Sequence, residues 1–194
     1  IYTNGFIRSF ATSIKSFIDG DKYADTHSWD GQAAYFMDNY TAEDAANWST
    51  SNWAPLRSIN YYLDNMRKAS ASDAVLDHYE GVGRFFRAMF YFSKMKTFGA
   101  VPWYDTTIDP TDKDALYKGR DSREFIASKI LEDLNYACEH CSDDSKYRIR
   151  ASYIHKYVAL ALKSRFCLYE GTMRKYYSDD PSTGKPWTKD ESSM

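Results

Sequence analysis

One stretch limits what this chain can fold into. From Gly81 to Tyr104 it reads GVGRFFRAMFYFSKMKTFGAVPWY. Tyr79, Val82, Phe86, Met89, Phe90, Ser93 and Met95 recur at helical spacing, which makes one face apolar over several turns. The spacing predicts a long helix from about Asp73 to Phe98. Gly99 is placed to end it, because glycine reaches the left-handed conformation of a last turn without a Cβ clash. Pro102 prevents a restart and pushes Val101 into an extended backbone. Trp103 and Tyr104 follow on the emerging loop.

The other elements have to be arranged around that helix. Phe6, Ile7, Phe10, Ile14, Phe17 and Ile18 give an amphipathic helix from Thr3 to Ile18, ended by Asp19-Gly20. Asp21 to Trp53 has no sustained period and is rich in Asp, Asn, Ser and Thr. It reads as a long polar loop carrying Trp29, Tyr35, Phe36, Tyr40 and Trp48, with room for a short helix near Ala42 to Asn47. Loops of that length are uncommon in compact domains unless they have a function. Trp53, Leu56, Ile59, Leu63 and Met66 share a helical face. Asn52 or Ser51 is suited to cap that helix and Pro55 to sit in its first turn.

A second loop spans Ala100 to Gly119, with Asp109-Pro110 as a turn. Asp121, with Glu124 three residues on, has the form of a capping box before a helix whose face is Ile126, Ile130, Leu134 and Ala137. After a polar turn at Ser142 to Lys146, a last helix is expected from Ala151 to Tyr169. Its face is Ile154, Val158, Ala161, Leu162, Arg165 and Tyr169, and Gly171 closes it. No convincing strand is visible. The expectation is one all-α domain over residues 1–194, built of tetratricopeptide-like helical hairpins with long irregular loops, with 178–194 as a polar tail or loop.

Composition narrows the function classes. A net charge of −2 with no basic stripe argues against nucleic acid as the partner. No run approaches the roughly 20 apolar residues of a membrane-spanning helix. Aromatics make up 17 % of the chain, and they serve either as packing between helices or as a surface on which sugar or peptide stacks. The three cysteines cannot all pair. Cys138 and Cys141 have C-x-x-C spacing, but a zinc site needs further ligands and a redox pair normally opens a helix rather than closing one. They read as incidental thiols, and Cys167 as a core residue. Nucleotide-binding, hydrolase and metalloprotease motifs are missing. His27, His78, His140 and His155 are scattered, and adjacent acids such as Glu132-Asp133 read as solvated surface. Nothing in the sequence calls for a cofactor or a metal.

Three blocks in order carry a resemblance. Arg84-Phe85-Phe86-Arg87-Ala88 runs on to Phe98-Gly99-Ala100-Val101-Pro102. Arg120-Asp121-Ser122 with Glu124 precedes Ile130-Leu131-Glu132-Asp133-Leu134 and Ala137. Ala161-Leu162-Lys163-Ser164-Arg165 leads to Leu168-Tyr169-Glu170-Gly171-Thr172 and Arg174-Lys175-Tyr176. Together they resemble the "R-F-L-R-A … F-G-x-V-P", "R-x-S-x-E … I-x-x-D-L-x-x-A" and "A-L-x-x-R … L-Y-E-G-T-x-R-K-Y" segments of the SusD/RagB outer-membrane nutrient-binding lipoproteins. The match runs from about Trp53 to Tyr177. Val82-Gly83 stands where the family has an acidic residue and Ala, and Phe86 where it has Leu. A helical Gly83 costs about 1 kcal/mol relative to Ala, which close packing would offset.

The resemblance implies the N-terminal part of a longer protein, lipid-anchored at the outer membrane and facing outward. Such a protein captures oligosaccharide without catalysis and passes it to a SusC-like TonB-dependent transporter. A chain that starts at Ile1 and ends in STGKPWTKDESSM fits a fragment whose signal and anchor lie upstream. Sugar binding calls for rings beside planar hydrogen-bonding groups. The candidates are Trp29 with Asp30, Trp48 with Asn47 and Asn52, and Trp103 with Tyr104, with the tryptophans of the first loop ranked higher. The competing readings are a helical-repeat scaffold that binds only protein and, more weakly, a carbohydrate-active enzyme.

Overall fold

A computed structural model describes residues 48–150 and 152–188 of the chain. The helix expected at 3–18 and most of the first loop lie outside the described residues. The chain divides into two compact units, Ile1–Pro55 and Leu56–Met194. The described residues form helices α1 (Thr50–Met66), α2 (Asp73–Phe98), α3 (Lys113–Leu116), α4 (Arg123–His140) and α5 (Lys156–Tyr176). A 3-10 turn (Ser145–Tyr147) precedes α5, and a small antiparallel pair, β1 (Asp179–Asp180) and β2 (Lys185–Pro186), follows it. The architecture is helical, as expected, apart from that hairpin and a bridge between Val101 and Asp121.

α2 is the centre of the larger unit. Its expected bounds hold, but the buried surface is wider than a single stripe. Phe85, Ala88, Tyr91 and Phe92 are buried along with Val82, Phe86, Phe90 and Met95, whereas Tyr79 stays 43 % exposed. The reason is that α2 is covered from several sides. It packs along α4, α4 packs along α5, and Phe92 reaches Phe166 and Tyr169 of α5 edge-on at 5.4 Å. Against α1 the fit depends on Gly83. A Cβ there would lie 2.6 Å from Leu63 Cδ2 and 3.0 Å from the Tyr62 ring, so the missing side chain allows the close approach. Gly99 adopts φ 68° and donates its N–H to Met95 O at 2.9 Å, ending the helix as its sequence requires. Val101 is then extended and fully buried, and its carbonyl accepts from Asp121 N.

The other helices depart from expectation at their ends. α1 begins at Thr50, so Ser51 and Asn52 lie in its first turn and Pro55 in its second. Asn52 is no cap; its Oδ1 accepts instead from the Ser49 hydroxyl at 2.6 Å. α4 buries the expected face, with Ile126, Ile130, Leu134 and Ala137 wholly inaccessible. Its cap is Ser122, whose Oγ accepts from Phe125 N, and not Asp121. The Asp121 carboxylate is occupied by Trp103 N at 2.8 Å and Lys118 Nζ at 2.7 Å. Glu124 turns away from the helix start to meet Arg174 and Thr188 N.

α5 is longer than expected and buries a different face. Gly171 lies inside it. Ala159, Phe166, Glu170 and Arg174 face inward, while Ala161 and Arg165 are exposed. A buried glutamate is what misled the periodicity. Glu170 receives both Arg123 Nη1 (3.0 Å) and Arg123 Nη2 (2.5 Å), with neither residue more than 2 % exposed. The stretch expected as a polar tail or loop contains the β1–β2 hairpin. Asp180 is buried and accepts from Ser182 N and Oγ, and the Trp187 ring covers the Arg174 guanidinium at 4.6 Å.

Cys141 is buried, Cys138 and Cys167 are half-buried, and none of the three is paired. Among the described residues no group of His, Cys, Asp and Glu could hold a metal, and no helix is long and apolar enough to cross a membrane. His78 is 2 % exposed; its Nδ1 accepts from Ser142 N at 3.0 Å and its ring stacks on Tyr147 at 3.8 Å.

Glu170→Ala leaves the Arg123 charge buried with its main partner gone, so chemical denaturation should show a loss of about 3–5 kcal/mol. Lys129→Ala, which breaks an exposed pair, should cost under about 1 kcal/mol. Burial lowers the pKa of His78, with nearby Lys146 adding to the effect and Asp144 opposing it. A depressed histidine contributes stability that is complete above the unfolded value of about 6.5 and is lost as pH falls below it. The melting temperature should therefore drop between neutral pH and mildly acidic pH, and His78→Asn should flatten that part of the curve.

Candidate functional site

The larger unit contains a cavity of about 440 Å³ between α1, α2, α4 and the loop that follows α2. Its walls arise from how the helices meet. α2 supplies Glu80, Arg84 and Arg87, spaced so that all three project on one side of the helix. α1 supplies Leu63, Asp64 and Arg67; α4 supplies Lys129, Glu132 and Asp133; the loop supplies Trp103, Asp105 and Thr106.

These groups form a chain of ion pairs. Arg67 Nη2 lies 2.6 Å from both Asp77 Oδ1 and Glu80 Oε2. Arg84 Nη2 meets Glu80 Oε1 at 2.8 Å, and its guanidinium covers the Tyr136 ring at 4.1 Å. Arg87 makes a fork with Asp133, Nε to Oδ2 and Nη2 to Oδ1 at 2.7 Å each, and donates a third hydrogen bond to Asp105 O at 2.9 Å. Burial alone would push the Glu80 carboxyl up, but the hydrogen bonds from Arg67 and Arg84 outweigh it and hold the group below the usual carboxylate range. At Asp133 the balance is reversed. Burial pushes the carboxyl up against the pull of Arg87 and Arg84.

The sequence candidates are distributed unevenly with respect to this cavity. Trp29, Asp30 and Asn47 lie outside the described residues. Trp48 and Asn52 are half-buried in the first unit, where the Trp48 and Trp53 rings meet edge-on at 5.1 Å. Trp103 does line the cavity, yet it is 6 % exposed and its ring is stacked on Tyr91 at 4.2 Å with Arg87 5.4 Å from the ring centre. Little of the indole face is open to a sugar. Tyr104 braces the loop; its N–H donates to Tyr91 Oη at 2.7 Å and its hydroxyl donates to Ala115 O at 3.0 Å. The cavity residues Arg67, Glu80, Arg84, Arg87 and Asp133 were not among the candidates. Each reads in the sequence as solvated surface, and only the fold shows that Arg87 and Asp133 are buried, where a charge requires a partner.

The family model described as "Starch-binding associating with outer membrane" matches residues 9–168. The chain belongs to the SusD-like family. Solved structures agree with the fold. A SusD-like protein from Bacteroides fragilis is 26 % identical over 66 % of this chain and 25 % of its own length, with a TM-score of 0.58. A laminarin-binding SusD-like protein is 19 % identical over 66 % of this chain and 27 % of its own, with a TM-score of 0.55. A SusD-like carbohydrate-binding protein from the same Bacteroides species is 21 % identical over 66 % and 26 %, also with a TM-score of 0.55. No curated protein matches. The chain spans about a quarter of the length of the SusD-like proteins it resembles.

The forked pair in this SusD-like chain yields a direct test. Arg87→Leu strands the Asp133 carboxylate and should lower the unfolding free energy by about 3–5 kcal/mol. Adding Asp133→Leu should recover much of that loss, measured as a double-mutant cycle. Recovery would show that the loss came from the unpaired charge and not from side-chain volume.

Proposed function

We propose that this SusD-like chain is the N-terminal part of a non-catalytic protein that captures oligosaccharide or polysaccharide at the outer-membrane surface. The observation that carries the reading is the family match over residues 9–168, whose description is starch binding in association with the outer membrane. A relative of the same fold is a laminarin-binding protein, which supports glycan as the ligand class. The proposal extends to a lipid anchor on the complete protein and to delivery of the glycan to a TonB-dependent, SusC-like transporter.

The glycan contacts are proposed for the polar stretch that leads into the first turn of α1, at Trp29 with Asp30 and at Trp48 with Asn47 and Asn52. A flat ring beside amide and carboxylate groups suits a sugar, whose apolar face stacks while its hydroxyls bond in the ring plane. Trp103 and Tyr104 rank below them, because both are engaged in holding the loop after α2.

The test is affinity electrophoresis of the complete protein through gels containing starch, laminarin or other neutral polysaccharides. At least one should retard it, and Trp48→Ala should weaken that binding by about tenfold, the size of a lost stacking anchor. The melting temperature should fall by no more than a few degrees, the cost of one edge-on contact with Trp53. A protein retarded by no polysaccharide would favour the reading as a helical scaffold for protein partners, and reducing-sugar release from the gel polysaccharide would favour an enzyme.

A further inference from the structure

α5 has two faces suited to burial, and only one of them is buried. Inward, Ala159, Phe166, Glu170 and Arg174 pack toward α4 and α2, and Phe166 meets Phe92 edge-on. On the opposite side Tyr157, Ala161, Ser164, Leu168, Thr172 and Lys175 recur at intervals of three and four residues, which sets them in one stripe along the helix. Leu160 borders the stripe. All of these residues are exposed, Leu168 at 71 % and Tyr157 at 54 %.

α4 shows an ordinary outward face. Its exposed residues are Phe125, Glu132, Asn135 and Glu139, one ring among polar groups. The α5 stripe has no charged member before Lys175. Between its two faces Val158, Leu162 and Tyr169 are half-buried, so α5 is apolar nearly all round. A helix of that composition belongs in an interior, covered from more than one side as α2 is. Ala161 and Ser164 are small and leave low ground beside Tyr157, Leu160 and Leu168, against which the side-chain ridge of a further helix can pack.

The charges at the margins narrow the occupant. Arg165 and Lys175 are exposed there, and the one acid of α5, Glu170, is buried against Arg123. A second copy docked α5 to α5 would set cation beside cation with no carboxylate between them. Chain order and length favour a different occupant. α2 packs along α4 and α4 along α5, so each long helix of this series lies against the one that follows it. The matched part of the chain spans only about a quarter of each SusD-like structure, which leaves most of a protein of that size outside it.

We propose that the outer stripe of α5 is an intramolecular docking face, covered in the complete protein by an amphipathic helix that follows Met194 and brings carboxylates to Arg165 and Lys175. The proposal rests on the reading of this chain as the N-terminal part of a longer protein, and not on glycan as the ligand. Tyr157 and Leu168 are then core residues of the whole molecule, and α5 is the element through which its two parts are joined.

The experiment places a photoreactive benzophenone amino acid at Tyr157 of the complete protein, and at Leu168 in a second variant, and maps the cross-linked peptides by mass spectrometry. Both positions should link, within one molecule, to a single segment beyond Met194 that carries acidic residues. The probe at Tyr157 extends an existing ring, so it serves if the variant at Leu168 does not fold. Leu168→Ala should lower the melting temperature of the complete protein by several degrees, while Asn135→Ala, on the outward face of α4, should leave it in place. Cross-links only to a second copy or only within residues 1–194, or none from either position, overturn the proposal, as does a melting temperature that Leu168→Ala does not move. Retardation in polysaccharide gels is measured on the same preparation. A retarded protein whose probes reach nothing beyond Met194 loses the docking face and keeps the capture function. A protein that cross-links as expected but is retarded by no polysaccharide keeps the docking face and loses the capture function.

Discussion

The Arg87–Asp133 fork is the interaction on which the larger unit depends. Two hydrogen bonds of 2.7 Å fix α2 to α4, and the third, to Asp105 O, ties down the loop that follows α2. That loop has little regular structure, so its backbone groups need partners from elsewhere. Side chains supply them. Asn60 Nδ2 donates to Tyr104 O and Thr106 O, Tyr91 Oη accepts from Tyr104 N, and Asp64 accepts from Thr107 N. The loop is thus held by side chains of α1 and α2, and Arg87 is the one among them that also fixes α2 to α4.

A second polar lock sits at the seam between α4 and α5. Arg123 and Glu170 form it, with Arg174 3.8 Å from Glu170 and under Trp187. Apolar side chains of equal volume would often stabilise as well as such pairs do, so the net stability they add is a poor explanation for them. Register is a better one. Sliding α4 by one turn, about 5.4 Å, would part Asp133 from Arg87 and Arg123 from Glu170 together, while the alanine, isoleucine and leucine contacts could re-form with new neighbours. The apolar seam provides cohesion and the buried charges choose among the ways of achieving it.

This division of labour explains what the sequence made legible. The bounds of α2, its stop at Gly99 and the inward face of α4 follow from apolar spacing and from one glycine, and both can be read directly. The face of α5 could not be, because its key inward residues, Glu170 and Arg174, are charged and periodicity assigns charge to the outside. The cap of α4 was misplaced by one residue for a similar reason. Asp121 and Ser122 are both good caps, and the choice was made by Trp103 N, which lies eighteen residues away and engages the aspartate. The cavity was invisible on the same ground, since each of its charges taken alone reads as solvated surface. Trp103 stood out as an aromatic on a loop, but its burial against Tyr91 is set by tertiary contacts that spacing does not encode.

The cavity is itself a consequence of the register. Over Gly83, Arg84 and Arg87, neighbouring turns of α2 present a residue with no side chain and two with very long ones. Leu63 and Tyr62 of α1 close onto the glycine, whereas Arg84 folds back on Glu80 of its own helix and Arg87 reaches across to Asp133 of α4, in space that a compact core would fill with methyl groups. A guanidinium fork is planar and directional, so it cannot relax to fill a gap as Met or Leu would. The walls are therefore held by ion pairs of fixed geometry around a volume they do not fill.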